Sequence, residues 1–389
     1  MIPGRTVFSQ LTDLLPRRAF HNATDRYDAR KRVRSFSCAD QLLCMIFAQV
    51  TGRSSLRETV LCLNALGSSR YHCGIRGRVT RSTLAAVNER RDHRIFMDTA
   101  MAMIHADRLI LPVDPDLEHL THRVYAIDST TIDLCLKLFP WALFRRRKAG
   151  IKAHTLFDVK SGIPVFLRVS NAKVHDVWFL DQIVYQPGAF YIVDKGYIDF
   201  ERLHRVHAAG AFFVTRPKRG MKFRVKAHLD VAPDTGVVSD RLIRLRGVES
   251  RTTYPDLLRL IRYVDPDTGK RLFFITNNRT LDSATIALLY RKRWRIELFF
   301  KWVKQHLHIK AFFGTSPNAV KTQVWIAVIV FMLVVRLKHR FQLRQDINQV
   351  LQVLSVTILQ KEPVFQVFSE NSKRKTEDED RNQLQLFNL

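Results

Sequence analysis

Three acidic residues far apart in the chain, Asp128, Asp194 and Glu297, sit in surroundings that suit the binding of divalent cations. Asp128 lies in an alternating apolar–polar stretch, VYAIDST, with Tyr125, Ile127 and Ile132 around it. Asp194 ends the apolar stretch FYIVD, just ahead of Lys195-Gly196. A carboxylate on an otherwise buried strand is costly unless it is paired or bound to a metal. If the two strands are neighbours, both side chains converge at one edge of a sheet. Two oxygen donors there suit a hard cation such as Mg²⁺, which keeps several waters and takes few protein carboxylates. Taken singly, either Asp also fits a helix N-cap or a turn, Asp194 especially because of the nearby glycine.

Glu297 belongs to a helical stretch, ALLYRKRWRIELFFKWVKQHL. At ~100° per residue, Tyr290, Arg293, Glu297 and Lys304 fall at about 0°, 300°, 340° and 320°, within an arc of roughly 60°. One metal ligand flanked by an aromatic and two cations suits a phosphate-handling site, Arg as a bidentate fork and Lys as a point charge. The competing reading is an exposed amphipathic helix with an ordinary Arg293–Glu297 pair at i, i+4. Leu289, Ile296, Phe299, Phe300 and Val303 supply a separate packing stripe. Trp294, about 40° from Tyr290, is placed either to stack on an unpaired base or to fill the core. His175-Asp176, Lys152, His154 and Asp133 stay outside the catalytic set: the first pair fits either a place near the metals or a helix N-terminus, Lys152 and His154 either approach the site or face solvent, and Asp133 lies too far down its strand from Asp128.

The elements that must position these residues follow a distinct order. The first ~95 residues read as helical, with Leu11, Leu14, Leu15, Leu42, Leu43, Met45, Ile46 and Phe47 at helical intervals and breaks at Pro16 and Thr51-Gly52. Between them lie Arg17, Arg18, Arg30, Lys31, Arg32 and Arg34, either a DNA-binding set or a solvated face. From Arg123 the pattern becomes three strands, turning at Lys160-Ser161-Gly162, then a helix over 176–183, the strand AFYIVD, a helix over 197–209 and the strand AFFVTR. Three strands, helix, strand, helix, strand is the chain order of a ribonuclease-H-like core, whose first and fourth strands are neighbours. Residues 217–270 read as an inserted β subdomain, RLFFITN as a further strand, and 282–309 as one long helix with the Val324–Val335 helix behind it. The tail from Ser369 is polar and charged, in the manner of a disordered segment. The expected domains are a helical basic DNA-binding domain (1–95), a catalytic domain (96–345) interrupted by the β-rich insertion (217–270), and a C-terminal helix and tail (346–389).

Composition bounds the partners. Sixty-three Lys and Arg against thirty-six Asp and Glu leave a formal charge of +27. That excess repels itself in the folded state, and a polyanion relieves it. Because the cations are spread from Arg5 to Arg374, a long polymer such as DNA or RNA is favoured over an anionic membrane surface or an acidic protein. Five cysteines (38, 44, 62, 73 and 135) form no CxxC pair and no zinc spacing, so reduced thiols of a cytosolic chain are expected. The N-terminal stretch lacks the apolar segment of a signal peptide, and the run Val324–Val335 falls short of the ~20 residues that span a bilayer. A soluble protein with no membrane partner is expected.

Tyr290-x2-Arg293-x3-Glu297-x6-Lys304 resembles, without departure, the signature of insertion-sequence transposases of the four-type family, a branch of the DDE recombinases. Asp128 in YAIDST resembles that family's first acidic residue and Asp194 in VDKGY its second. GIKAHTLFD and NAKVHD are similar to the intervening strands and loop, and a β-rich insertion likewise separates the family's last two acids. The segment from FSQLTDLLPRRAF to GRSSLRE resembles the small domain that often precedes such a core, and the resemblance covers about residues 5–340. It implies an α/β fold with a ribonuclease-H-like catalytic core, a mixed five-stranded sheet with helices, carrying a β-rich insertion and a helical N-terminal domain. It implies Asp128, Asp194 and Glu297 as catalytic ligands of two Mg²⁺ ions, with Mn²⁺ a substitute, and Tyr290, Arg293, Lys304 and Trp294 on DNA. The implied chemistry is hydrolytic cleavage at terminal inverted repeats and transfer of the freed 3′-hydroxyl to target DNA, in some relatives through a hairpin. The implied partners are double-stranded DNA and a second copy in a synaptic homodimer, in the bacterial cytoplasm. The alternatives are another nuclease on the same fold, or a non-catalytic DNA-binding descendant of a transposase.

Overall fold

The computed structural model describes residues 5–29, 35–145, 148–306 and 312–369. Arg30, Lys31, Arg32, Arg34 and the tail beyond Ser369 lie outside the described residues. In chain order come helices α1 (Val7–Thr12), α2 (Arg17–Arg26), α3 (Cys38–Val50), α4 (Leu56–Ala65), α5 (Arg81–Arg90) and α6 (Arg94–Asp107). Strands β1 (Val124–Leu134), β2 (Leu143–Arg145), β3 (Lys148–Asp158), β4 (Ile163–Asn171) and β5 (Phe190–Val193) lead to α7 (Phe200–Ala208). Next are β6 (Phe212–Thr215), β7 (Phe223–Leu229), β8 (Val237–Leu245), α8 (Val248–Thr253), β9 (Leu258–Val264) and β10 (Arg271–Thr276). Helices α9 (Ser283–Lys292), α10 (Trp294–His306), α11 (Pro317–Arg340) and α12 (Ile347–Thr357) follow.

Backbone proximity divides the chain into two compact units, Leu111–Phe300 and the helical unit Met1–Ile110 with Lys301–Leu389. This differs from the sequence expectation, which set the first boundary near residue 95 and kept residues 96–345 together. Helix α11 is the reason. It runs twenty-four residues from Pro317, twice the apolar run seen in the sequence, and by length and composition it could cross a membrane. Its apolar surface is instead buried against α3, α5, α6 and α12 of the helical unit. Two polar anchors fix it there. Arg336 Nε donates to both carboxylate oxygens of the buried Asp107 (2.7 and 2.8 Å), and Asn318 caps the end of α5 through the carbonyls of Asn88 (3.0 Å) and Arg91 (2.7 Å).

The other unit is built on one ten-stranded sheet. Its first part has the order β4-β3-β1-β5-β6, with β4, β3 and β1 antiparallel and β1, β5 and β6 parallel. That is the ribonuclease-H-like arrangement expected, with the short β2 added beside the start of β3. The central parallel strand β5, FYIV, is buried at every position, as a strand covered on both faces must be. The expected helix over 176–183 is a tight 3-10 segment, Asp176–Gln182, and α7 begins at Phe200, where the Asp199 side chain accepts from the Arg202 amide.

The β-rich insertion is a continuation of the same sheet. β10 pairs antiparallel with β6, and β9, β8 and β7 follow as a meander. Tyr290 of α9 stacks on Phe274 of β10 (4.9 Å), so α9 covers one face of this extension, and α7, α8 and Tyr254 cover part of the other. Within it Arg259 grips the carboxylate of the fully buried Asp240 at 2.8–2.9 Å through Nε and 2.5 Å through Nη2, while Nη1 donates to the Leu281 carbonyl. Removing one partner of such a pair strands a buried charge, whereas removing both does not. Asp240→Ala should therefore cost ~3–5 kcal/mol in chemical denaturation, and Asp240→Leu/Arg259→Met clearly less; a double variant as unstable as the single one would contradict this account.

Candidate active site

The parallel register pairs Ile127 with Val193, so the next residues on β1 and β5 are Asp128 and Asp194, level with each other. Asp128 and Phe157 fall on the same face, since Phe157 pairs with Ala126, and Phe299 of α10 packs on Phe157 (5.6 Å). The face bearing Asp128 is thus the one that α10 covers. Asp194 leaves β5 in an extended conformation at the start of the turn Lys195–Tyr197, and its side chain does not cap that turn. It accepts a hydrogen bond from the Tyr290 hydroxyl (3.3 Å) instead. The reading of Asp194 as a helix N-cap is thereby excluded.

The expected long helix over 282–309 is broken at Arg293, between α9 and α10. There the Arg293 amide bonds the Tyr290 carbonyl (3.2 Å) and the Ile296 amide bonds the Arg293 carbonyl (3.1 Å), a three-residue spacing that tightens the turn. Arg293 reaches inward from this break. Its Nη1 donates to Asp128 Oδ2 (3.2 Å) and its Nη2 to Glu297 Oε1 (2.5 Å), while its buried Nε has no partner. One guanidinium thus bridges the acid of β1 and the acid of α10, and Tyr290 holds the acid of β5.

Burial pushes the Asp128 carboxyl up to about 6; the Ser129 amide and Arg293 pull it down, and the charges of Glu297 and Asp194 push it further up. Burial and the Asp194 charge also raise the Tyr290 hydroxyl, against the pull of Arg293. Among the described residues no three His, Cys, Asp or Glu stand close enough to hold a metal as they are. The donor chemistry nonetheless suits a hard divalent cation: carboxylate oxygens gather where Asp128 is desolvated, and the cation now neutralising Asp128 and Glu297 is a side chain.

Lys304 is exposed further along α10 and belongs to the helical unit, while the other three signature residues share the carboxylate site. Trp294 is 58% exposed, with Leu298 one turn on at 51%, which corrects the reading of Trp294 as a core side chain. Asp133 is exposed and stands apart, as expected.

Asp176, Lys152 and His154, set outside the catalytic set at the sequence level, stand beside Asp128 together with Ser129, which was not singled out. Ser129, adjacent to Asp128, donates its hydroxyl to Asp176 Oδ1 (2.5 Å), which also pairs with Lys152 Nζ (3.0 Å). His154 is fully buried opposite Ser129, stacked on Phe179, and burial lowers its pKa to about 4. The buried Tyr197 hydroxyl has no partner, and burial with the nearby Asp128 raises its pKa. Asp176, Lys152 and Ser129 thus brace the segment carrying Asp128, and the alternation of Lys152 and His154 on β3 was the available signal.

A fold of this order with acids on its first and fourth strands and on a late helix has the architecture of a DDE domain. Residues 119–333 match the family described as Transposase DDE domain, and the chain belongs to that family. Residues 3–76 match a domain of unknown function, DUF4372. A Sinorhizobium fredii protein named as transposase y4zB is 38% identical over 212 residues, 53% of this chain and 58% of that protein. A Geobacillus stearothermophilus protein named as the transposase of insertion element IS5377 is 30% identical over 209 residues, 53% of this chain and 54% of that protein. The chain therefore spans little more than half the length of these curated relatives. A Synechocystis protein named for insertion element IS4SA is 21% identical over 72% of this chain. A solved piggyBac transposase synaptic complex with hairpin DNA aligns over 95% of this chain and 79% of its own, with a TM-score of 0.44 and 10% identity.

Asp128 holds its proton more tightly folded than unfolded, so its contribution to stability is best below about pH 4 and is lost as pH rises through about 6. At pH 8 the buried charge should cost on the order of 2–3 kcal/mol. Asp128→Asn should then raise Tm at pH 8 by about 3–6 °C, with no gain at pH 4. Millimolar Mn²⁺ should raise the Tm of the wild type but not that of this variant. Equal responses to Mn²⁺ would remove Asp128 from the cation site.

Proposed function

We propose that this chain is an insertion-sequence transposase that cuts DNA at the terminal inverted repeats of its element and joins the freed ends to target DNA. The observation supporting this most directly is the joining of Asp128, Glu297 and Asp194 by Arg293 and Tyr290 in the family's Tyr-Arg-Glu-Lys pattern. Asp128, Asp194 and Glu297 would hold two divalent cations, Mg²⁺ or Mn²⁺. Bound there, the ions would supply activation of the attacking oxygen and stabilisation of the leaving oxygen.

The protein's own part is positioning and charge control. Arg293, whose guanidinium spans Asp128 and Glu297, is the side chain placed to grip a phosphate at this site as a fork. Tyr290 holds Asp194 in the direction set by its hydroxyl, against the stack on Phe274. Asp176, through Ser129 and Lys152, keeps the Asp128 segment from swinging out toward solvent. Trp294, exposed beside the site, is available to stack on an unpaired base near the cut. Lys304, exposed on the same helix, adds a point charge for the DNA backbone. The helical N-terminal region binds transposon ends, the working form is a synaptic homodimer, and the setting is the bacterial cytoplasm.

Glu297→Gln keeps the size of the side chain and removes its charge. We expect it to bind end-containing duplexes within a few-fold of the wild type and to lose Mg²⁺-dependent strand cleavage by more than ~100-fold. Pre-cut ends incubated with plasmid distinguish joining from plain nuclease action. Cleavage by Glu297→Gln at wild-type rate would refute the assignment, and cutting without joining would favour a nuclease on the same fold.

A further inference from the structure

The turn that carries Asp194 out of β5 contains a buried donor with no use in the fold. Lys195 and Gly196 are exposed, whereas Tyr197 is 3% exposed and its amide donates to the Asp194 carbonyl (2.9 Å). Its hydroxyl is sealed from solvent and has no hydrogen-bond partner among the described residues. Burying a hydroxyl without a partner is costly, and a phenylalanine would fill nearly the same volume without that cost. Packing therefore does not account for the oxygen.

The surroundings of the hydroxyl do account for it. The charges acting on it are those of Asp128, the strongest, then Asp176 and Asp194, and the Ser129 side chain lies beside it. Ser129 gives its own proton to Asp176 Oδ1 (2.5 Å), which Lys152 also holds (3.0 Å). Asp194 Oδ1 takes the Tyr290 hydroxyl (3.3 Å). On Asp128, Oδ1 takes the Ser129 amide (2.8 Å) and Oδ2 takes Arg293 (3.2 Å), while a carboxylate has room for about four donors. Burial holds the Asp128 carboxyl up at about 6, so its charged form is the one short of donors.

The kind of donor matters. Arg293 settles Asp128 by cancelling its charge, and it therefore competes with a divalent cation for the same oxygens. A phenol is neutral: it fixes the direction of a carboxylate and leaves the negative charge for a metal. Tyr290 stands in that relation to Asp194, the acid on the neighbouring strand. Donors that hold a metal-binding side chain in place set its direction and the affinity of the site.

We infer that Tyr197 is a positioning residue for Asp128, its hydroxyl donating to the Asp128 carboxylate when that carboxylate holds a divalent cation. The inference rests on the reading of the carboxylates as a cation site. Tyr197 acts only through Asp128. Because its amide is held by the Asp194 backbone, one residue then ties together the acids of β1 and β5.

Tyr197→Phe in the full chain removes the hydroxyl alone. Without divalent cation its Tm should match the wild type or exceed it by about 2–4 °C, because a stranded polar group is gone. Mn²⁺, followed by the rise in Tm and by water-proton relaxation, should bind about 10-fold more weakly. In cleavage of an end-containing duplex, the half-saturating Mg²⁺ concentration should rise by a similar ~10-fold, with the rate at saturating Mg²⁺ near that of the wild type. Mn²⁺ binding at wild-type affinity overturns the inference. So does a Tm that falls in the absence of cation, which would make the hydroxyl a contact of the fold alone. Asp128→Asn separates this inference from the reading beneath it. If the wild type binds Mn²⁺ and Asp128→Asn does not, wild-type affinity in Tyr197→Phe rejects the role of Tyr197 and keeps the site. If the wild type binds no Mn²⁺, or Asp128→Asn binds it equally, the site and the inference fall together.

Discussion

Carboxylates brought together out of water repel one another, and a cation must stand among them for the fold to persist. In this protein the guanidinium of Arg293 takes that place, touching Asp128 of β1 and Glu297 of α10 at once. The rest of the catalytic unit is arranged around that bridge. Parallel pairing of β1 with β5 puts Asp128 and Asp194 level, and the break between α9 and α10 turns Arg293 inward. Had the helix continued straight through residue 293, the arc of polar side chains would still exist. The tight turn is what lets residues 290 and 293 reach acids on two different strands.

The same bridge explains why the site is at once well ordered and electrostatically unfavourable. Burial, more than any neighbour, holds the Asp128 carboxyl near neutrality, and Arg293 with the Ser129 amide offsets only part of it. Around this cost sit groups with no catalytic reading of their own: Ser129, Lys152 and Asp176 joined in one chain, and His154 buried beneath them as a neutral ring. A hydrogen-bonded brace of this type limits the directions in which a strained carboxylate can relax. Stability is given up at the acid and recovered in the frame around it, a division common at functional sites.

Much of this was legible in the sequence because the signals were local or periodic. A carboxylate inside an apolar strand, a polar arc on an amphipathic helix and the chain order of the first five core strands all survive translation into one dimension. What the sequence concealed depended on pairing. Arg293 reads as a phosphate fork or as half of an Arg293–Glu297 pair, and its bond to an acid of a strand appears only once that strand supplies Asp128. Asp176 reads as a helix-start acid until β1 and β3 bring Ser129 and Lys152 to it. Trp294 fitted either a core or an unpaired base by its type, and its exposure excludes the core. Helix α11 looked short because Thr322 and Gln323 interrupt its apolar run, yet both are buried and the helix begins at Pro317. The insertion looked like a separate body because its strands alternate and turn among themselves, and only the pairing of β10 with β6 joins them to the core sheet.

Net charge also changes meaning once the cations are placed. A balance of +27 suggests a surface that is basic everywhere. Several of the arginines that create it are nonetheless occupied inside the protein: Arg259 on Asp240, Arg336 on Asp107, Arg202 on Asp181 and Asp199, Arg295 on Asp114. These pairs contribute nothing to attraction at a distance, because each cation is cancelled within a few ångströms. The charge that can act on a polyanion is the remainder, and its distribution is uneven. On the strands beyond β6, Arg259 is matched with the buried Asp240, whereas Arg224 and Arg244 on the same face are exposed. What acts on a polyanion is therefore the set of cations left exposed and unmatched, rather than the total.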